Sequence, residues 1–193
     1  MRSVVHRFDA NLQAAYGRAK TNPPHETSPL AHFLTSLADR TGLATTGPLA
    51  LLRRSETAVR RWFNVYNDVL STLQILQQSC SLGIISNAWP YLEGLLNLLG
   101  LTQYFDSLTI SAQVGLIKPN PAIFQLALRS LHISAHEAIF IDDMPDNVVA
   151  AESMGLRSVW LVRAPRPRQN VAAYSVLHQI RSLDQVIPLL NEG

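Results

Sequence analysis

The chain has 193 residues, of which 47% are hydrophobic and 16% charged, and its formal net charge is +2. This length and composition predict a globular protein with one sizeable core and at most a small additional region. Its apolar runs are too short to span a membrane, its amino terminus resembles no signal peptide, and its basic residues form no continuous run. We therefore expect a cytoplasmic protein that binds neither membranes nor nucleic acid. The single cysteine, Cys80, excludes a disulfide within the chain.

The first third of the sequence is predicted to be helical. Apolar side chains recur there at helical spacing, first at Val5, Phe8, Leu12 and Tyr16. This pattern predicts an amphipathic helix over residues 3–19, followed by helices over 29–40 and 49–66. No strand is predicted in this part, so residues 1–65 are assigned to a separate helical region.

The remaining residues, 66–193, alternate between short apolar runs and helical patterns. The predicted helices cover residues 69–78, 90–99, 121–131, 146–154 and 183–190, and Gly155 ends the fourth of them. The predicted strands cover residues 82–85, 107–111, 138–141, 158–162 and an edge strand at 176–180. Strands separated by helices of this length predict an α/β fold with a Rossmann-like parallel sheet.

Two adjacent carboxylates, Asp142 and Asp143, follow the apolar run Ala138–Ile141. Ligands of open α/β sheets bind outside the carboxyl ends of the strands, which is where these two residues are predicted to lie. Adjacent carboxylates repel each other unless a cation lies between them, and hard oxygen ligands suit Mg²⁺. The alternative is a solvated turn in which Asp146 or Asn147 only caps the next helix.

Ser86 and Asn87 follow another apolar strand, and Pro90 begins the helix after them. A hydroxyl and unpaired backbone N–H groups at a helix entry can bind an anion. Alternatively, one of the two residues only caps the helix.

Lys118 lies in an apolar loop that contains Pro119 and Pro121, and the only other lysine of the chain is Lys20. The prolines restrict the loop, and a rigid loop favours a functional role for its lysine. The alternative is an ordinary solvated surface charge.

Residues 84–88, 105–121 and 140–147 together resemble motifs two, three and four of the haloacid dehalogenase superfamily, in the same order and at matching spacing. The resemblance covers roughly residues 66–193. It implies a Rossmann-like core, with residues 1–65 as part of a helical cap. It also implies Mg²⁺-dependent phosphoryl-transfer chemistry, most often the hydrolysis of a phosphate monoester.

The resemblance also implies roles for individual residues. Ser86 would donate a hydrogen bond to a phosphoryl oxygen, with Asn87 beside it as a second substrate-binding residue. Lys118 would neutralise charge on the phosphoryl group and on the nucleophile.

For the metal site, the resemblance implies that Asp143 is the main Mg²⁺ ligand. Asp142 would bind the metal directly or through water, and Asn147 would support the loop.

Motif one of this superfamily, an Asp-x-Asp-x-Thr turn after an amino-terminal strand, has no clear counterpart here. The first aspartate of that motif is the nucleophile and the second is the general acid. The nearest candidate nucleophile is Asp9, which follows Val4-Val5, but Asn11 and Gln13 then occupy the acid and threonine positions. The same residues fit the predicted helix, with Asp9 on its polar side. Three explanations stay open: a start codon placed too late, a truncated gene, or a member that has lost catalysis.

Without a motif-one strand, two rows of unpaired backbone groups would lie in the middle of the sheet, and the chain would be weakly stable unless another segment filled the gap.

The favoured function is a Mg²⁺-dependent phosphatase for a small phosphorylated molecule, inactive as given unless Asp9 is the nucleophile. The alternatives are a non-catalytic phosphate-binding or interaction protein and a 2-haloacid dehalogenase. The dehalogenase needs no metal, so the paired carboxylates disfavour it. A receiver domain would need an acidic pair near the amino terminus. Self-association stays open.

Overall fold

A computed structural model describes residues 2–6, 65–88, 92–163 and 177–191 of the chain. The predicted helix over residues 29–40 and most of the one over 49–66 lie outside these residues. Within the part of the chain described, no helix is long and apolar enough to cross a lipid bilayer.

The core is a six-stranded sheet in the order β3-β2-β1-β4-β5-β6, and every neighbouring pair is parallel. The strands are β1 (Arg2–His6), β2 (Cys80–Ser86), β3 (Ser107–Ile110), β4 (Ala138–Asp142), β5 (Arg157–Leu161) and β6 (Gln179–Ile180). The α-helices of the described residues are α1 (Asn67–Leu76), α2 (Leu92–Leu98), α3 (Ser111–Val114), α4 (Pro121–Leu131) and α5 (Pro145–Ser153). The predicted α/β fold with a Rossmann-like parallel sheet is confirmed.

Strand β1 lies at the centre of the sheet, where the sequence predicts a helix. Val4 is opposite Leu82 of β2 on one side and opposite Ile139 of β4 on the other. The predicted helix over residues 3–19 is therefore wrong for its first residues, and so is the assignment of Arg2–His6 to a separate helical region. The predicted gap in the sheet does not exist, because β1 lies in it and pairs with β2 on one side and with β4 on the other.

Helices cover the two faces of the sheet, and most of the buried apolar residues in the described part of the chain belong to two clusters, one on each face, with a smaller third cluster around Trp160. Helices α1 and α2 pack on one face together with the carboxyl-terminal turns, and α4 and α5 pack on the other. Strand β4 contributes to both: Ile139 and Ile141 belong to the first core, and Phe140 belongs to the second. Burial on both faces explains why the sequence of β4 shows no polar alternation.

Local signals predict several boundaries well. Helix α4 has its predicted bounds because the side chain of Asn120 caps it, accepting a hydrogen bond from the backbone N–H of Ala122 at 3.0 Å, and Pro121 favours the first turn. Gly155, at φ +86°, follows α5 as predicted.

The predicted closing helix over residues 183–190 is wrong in type. The structure has two short 3₁₀ helices, Leu183–Val186 and Pro188–Asn191, separated by one residue. Proline has no backbone N–H, so Pro188 cannot donate the hydrogen bond that would continue an α-helix through this segment.

Asp68, in the first turn of α1, connects that helix to two distant segments. Its carboxylate accepts hydrogen bonds from the Arg163 guanidinium at 2.9 Å and from the backbone N–H of Leu183. Partial burial opposes ionisation of this carboxyl, but these hydrogen bonds outweigh burial, and the pKa of Asp68 lies below its usual value.

The central position of β1 predicts that a proline within it disrupts folding. Val4→Pro removes a backbone donor from a strand paired on both sides and leaves a buried carbonyl unpaired, so we expect the free energy of unfolding to fall by about 1–3 kcal/mol. The matched control is Arg2→Pro at the first position of the strand, where proline is tolerated. Urea unfolding of the two variants checks this, and equal stability would contradict the central placement of β1.

The lowered pKa of Asp68 predicts a pH-dependent contribution to stability. A carboxyl with a lower pKa in the folded state stabilises the protein above its unfolded pKa of about 4, and this contribution is lost as the pH falls through the folded pKa. Asp68→Asn should therefore lower the free energy of unfolding by about 1 kcal/mol at pH 7 and by much less near pH 3. Urea unfolding at both pH values measures the difference, with the exposed Asp184→Asn as control. An effect that is equal at both pH values would show that the carboxylate charge is unimportant.

Candidate functional site

A lysine ammonium lies between the carboxyl ends of β2 and β4. Lys118 Nζ is 2.6 Å from the carbonyl oxygen of Ile85 in β2 and 2.7 Å from Oδ2 of Asp142, the last residue of β4. Lys118 is 3% exposed and Asp142 is fully buried. The interpretation of Lys118 as a solvated surface charge is therefore wrong, and the ammonium is a fixed positive charge at this edge of the sheet.

The carboxylate of Asp142 is engaged at both oxygens. Oδ1 accepts from the backbone N–H of Met144 at 2.8 Å, and the side-chain amide of Asn147 lies 3.2 Å from both Oδ1 and Oδ2. Together with Lys118, these donors fix the carboxylate in orientation. Asn147, from the first turn of α5, thus connects the helix to the strand end.

Asp143 differs from its neighbour because its side chain is only half-buried. The indole N–H of Trp160 in β5 donates to the backbone carbonyl of Asp143 at 3.1 Å. Trp160 is fully buried, so this bond holds the Asp143 main chain against the sheet. The sequence patterns do not reveal this contact, since an indole in an apolar strand normally indicates only packing.

The two carboxylates therefore differ in their surroundings. Asp142 is bonded to an ammonium, a backbone N–H and a side-chain amide, so the expectation that Asp142 and Asp143 both bind Mg²⁺ stays a prediction. Among the described residues, no group of three or more His, Cys, Asp or Glu side chains could hold a metal. One carboxylate still suits Mg²⁺, which commonly retains several waters and binds substrate phosphate oxygens.

The loop after β2 is attached to two other segments through paired hydrogen bonds. The side chain of Asn87 bonds both the N–H and the C=O of Lys118, at 2.8 and 2.9 Å. The hydroxyl of Ser111 bonds both the N–H and the C=O of Ala88, at 3.0 and 3.1 Å. Ser86, 1% exposed, precedes this loop and directly follows Ile85.

The predicted site residues outside motif one thus lie at one edge of the sheet. Ser86 ends β2, Lys118 contacts β2 and β4, and Asp142 and Asp143 lie at the end of β4. Asp9 lies outside the described residues. In the sequence it is the third residue after β1 and the only carboxylate between that strand and Glu26.

Comparisons with known proteins agree with this arrangement. Residues 32–161, more than half of the chain, match the family model for haloacid dehalogenase-like hydrolases. Phosphoserine phosphatase from Thermus thermophilus is 31% identical over 118 residues, 59% of this chain and 47% of that protein. Pyrimidine 5'-nucleotidase YjjG from Escherichia coli is 28% identical over 122 residues, 61% of this chain and 54% of that protein. The chain thus spans about half the length of these two relatives.

Solved structures of the same family share the fold. A HAD phosphatase from Thermococcus onnurineus superimposes with a TM-score of 0.64 and 21% identity, over 98% of each chain. The putative HAD-hydrolase YfnB from Bacillus subtilis, in a form bound to magnesium, gives 0.63 and 17%, again over 98% of each chain. At these identities the similarity establishes the fold alone. The match of residues 32–161 to the family model confirms the family that the three sequence motifs predict.

The buried ion pair predicts strong energetic coupling between its members. Lys118→Met leaves the Asp142 carboxylate buried without its ammonium, which should lower the free energy of unfolding by about 3–5 kcal/mol. In the double variant with Asp142→Asn, the loss should be well below the sum of the two single losses. Urea unfolding measures each term.

The more exposed pair of Arg163 and Asp68 serves as the matched control. Its side chains retain 17% and 16% of their exposure, against 0% for both members of the buried pair. We expect a smaller coupling energy for Arg163→Met with Asp68→Asn. Additive losses at Lys118 and Asp142 would contradict the proposed coupling.

Proposed function

Because the chain belongs to the haloacid dehalogenase-like hydrolase family, we propose that it is a Mg²⁺-dependent phosphatase that acts on a small phosphate monoester. The observation on which this proposal chiefly rests is the ammonium of Lys118, held at 2.6 and 2.7 Å between the ends of β2 and β4. In phosphoryl transfer the main tasks of the protein are to position the reacting groups and to compensate their negative charge. A cation that is already held in place supplies this compensation.

Each side chain of the site has a specific task in this proposal. The Ser86 hydroxyl donates a hydrogen bond to one phosphoryl oxygen, and Lys118 neutralises charge on the phosphoryl group. Asp143 holds Mg²⁺, which adds further charge compensation when bound. Asp142 accepts the hydrogen bond that orients the ammonium, and Asn147 fixes Asp142 in turn.

The proposed nucleophile is Asp9, the first carboxylate after β1 in the sequence. Its oxygen attacks phosphorus, the ester P–O bond breaks, and the alcohol leaves after taking a proton from water. Water then attacks the phosphorus of the aspartyl-phosphate, which releases orthophosphate and regenerates the carboxylate. Residues Ser86 and Lys118 contact the phosphoryl group in both steps.

The relatives support a phosphate ester as the substrate class. Among the curated relatives are proteins named as a phosphatase and a nucleotidase. The solved structures also include dehalogenases, which at about 20% identity share the fold alone. The half-buried carboxylate of Asp143 favours the phosphatase, because the dehalogenase branch needs no metal ligand.

A second candidate is a phosphate-binding protein of the same fold that does not hydrolyse its ligand. The sequence that follows β1 favours it. If Asp9 occupies the second position of an Asp-x-Asp motif, the position of the nucleophile is Arg7. Arginine can bind phosphate in a bidentate manner, but it cannot form the covalent intermediate.

Hydrolysis of an aryl phosphate in the presence of Mg²⁺ distinguishes the two candidates. The phosphatase predicts turnover that Asp143→Asn and Lys118→Met reduce by about a hundredfold or more and that Asp9→Asn reduces by at least about a thousandfold. Glu152→Gln, an exposed carboxylate on α5, is the control that should retain activity.

The second candidate predicts a different result in the same assay. The protein would bind orthophosphate without turnover, and Arg7→Asp would introduce Mg²⁺-dependent hydrolysis. Absence of both turnover and orthophosphate binding, measured by calorimetry, would overturn both candidates.

A further inference from the structure

The side chain of Asn87 bonds the main chain of Lys118 rather than a side chain. Its Oδ1 accepts from the Lys118 N–H at 2.8 Å, and its Nδ2 donates to the Lys118 carbonyl at 2.9 Å. This pair resembles one rung of a β-ladder, with the amide of Asn87 in the place of a peptide group. It joins the loop after β2 to the loop before α4, across 31 positions of sequence.

The position of the Lys118 backbone matters because its side chain is long. A lysine ammonium lies at the end of four rotatable bonds, and its position is determined only when both ends of the side chain are held. Ile85 and Asp142 hold the ammonium end, and Asn87 holds the main-chain end. The preceding residue, Ile117, is 63% exposed, so the loop is not secured by burial at that point.

We propose that Asn87 is a positioning residue that determines where the ammonium of Lys118 lies, rather than a ligand of the substrate. This assigns it a different role from the substrate binding implied by the family resemblance. The consequence for phosphoryl binding rests on the proposed function of Lys118, whereas the placement of the ammonium by Asn87 does not. Loss of both amide hydrogen bonds should therefore release the ammonium more often to water and accelerate its proton exchange about tenfold or more.

The composition of the chain makes a direct measurement possible. Lys20 and Lys118 are its only lysines, so ¹⁵N-lysine labelling yields two side-chain ammonium signals. The buried, hydrogen-bonded ammonium of Lys118 should exchange its protons slowly with water, and Lys118→Met identifies its signal by removing it.

The decisive comparison is between Asn87→Ala and Ser111→Ala. Ser111 makes the equivalent pair of bonds, but its partner is Ala88, the residue next to Asn87, rather than Lys118. We expect Asn87→Ala to accelerate proton exchange of the Lys118 ammonium about tenfold or more, and Ser111→Ala to change it by less than about twofold. If Asn87→Ala does not fold, Asn87→Asp retains the acceptor for the Lys118 N–H and should give a smaller acceleration.

Calorimetric titration with orthophosphate and Mg²⁺ separates positioning from substrate contact. Asn87→Ala should weaken orthophosphate binding about tenfold in the wild-type background and have no further effect in the Lys118→Met background. An unchanged Lys118 exchange rate in Asn87→Ala would overturn the proposal, as would a full effect on affinity in the Lys118→Met background. If exchange responds as expected but the wild-type protein binds no orthophosphate, the positioning role stands and the proposed function fails.

Discussion

The pairing of β1 on both of its edges is the constraint on which the rest of the structure depends. Strand β1 separates β2 from β4, so the ends of those strands lie roughly 10 Å apart. A side chain that contacts both the main chain of β2 and the carboxylate at the end of β4 must therefore lie next to the end of β1, which separates the two strands. Lys118 does this, which places its ammonium just beyond the carboxyl end of β1. Five residues at the amino terminus thus determine the geometry of a site built from residues 86–147.

The fold could be predicted from the sequence where local signals and burial agree. Helix α4 has both a capping side chain and an apolar face, and its predicted bounds match the structure. Strand β1 could not be predicted in this way, because Val5 fits the helical spacing of the residues after it, and His6 and Arg7 interrupt the apolar run. Its conformation is determined by pairing with strands whose partner residues lie 78 and 135 positions later in the chain. Such pairing leaves no signature in a short window of sequence.

The site could be predicted in part for a related reason. Residue types at strand ends identify Ser86 and Asp142 as neighbours, because parallel strands bring their carboxyl ends to one edge of the sheet. Lys118 lies in a loop between two helices, and only the family resemblance connects it to them. The partners of each side chain are not determined by residue type. The adjacent aspartates appear equivalent in the sequence, but one is buried against an ammonium and the other is half-buried. The bonds between Asn87 and the main chain of Lys118 depend on a loop conformation that spacing alone does not specify.

The energetics of the buried pair favour a role in positioning charge over a role in stability. Burying an ammonium and a carboxylate costs several kcal/mol of desolvation for each ion, and their attraction offsets this only when their remaining hydrogen-bonding groups are satisfied. Here Ile85, Met144 and Asn147 supply such partners. Apolar residues of similar size often stabilise a fold equally well at lower desolvation cost. They would leave the end of β1 without a fixed positive charge, which is the one property of this arrangement that packing cannot supply.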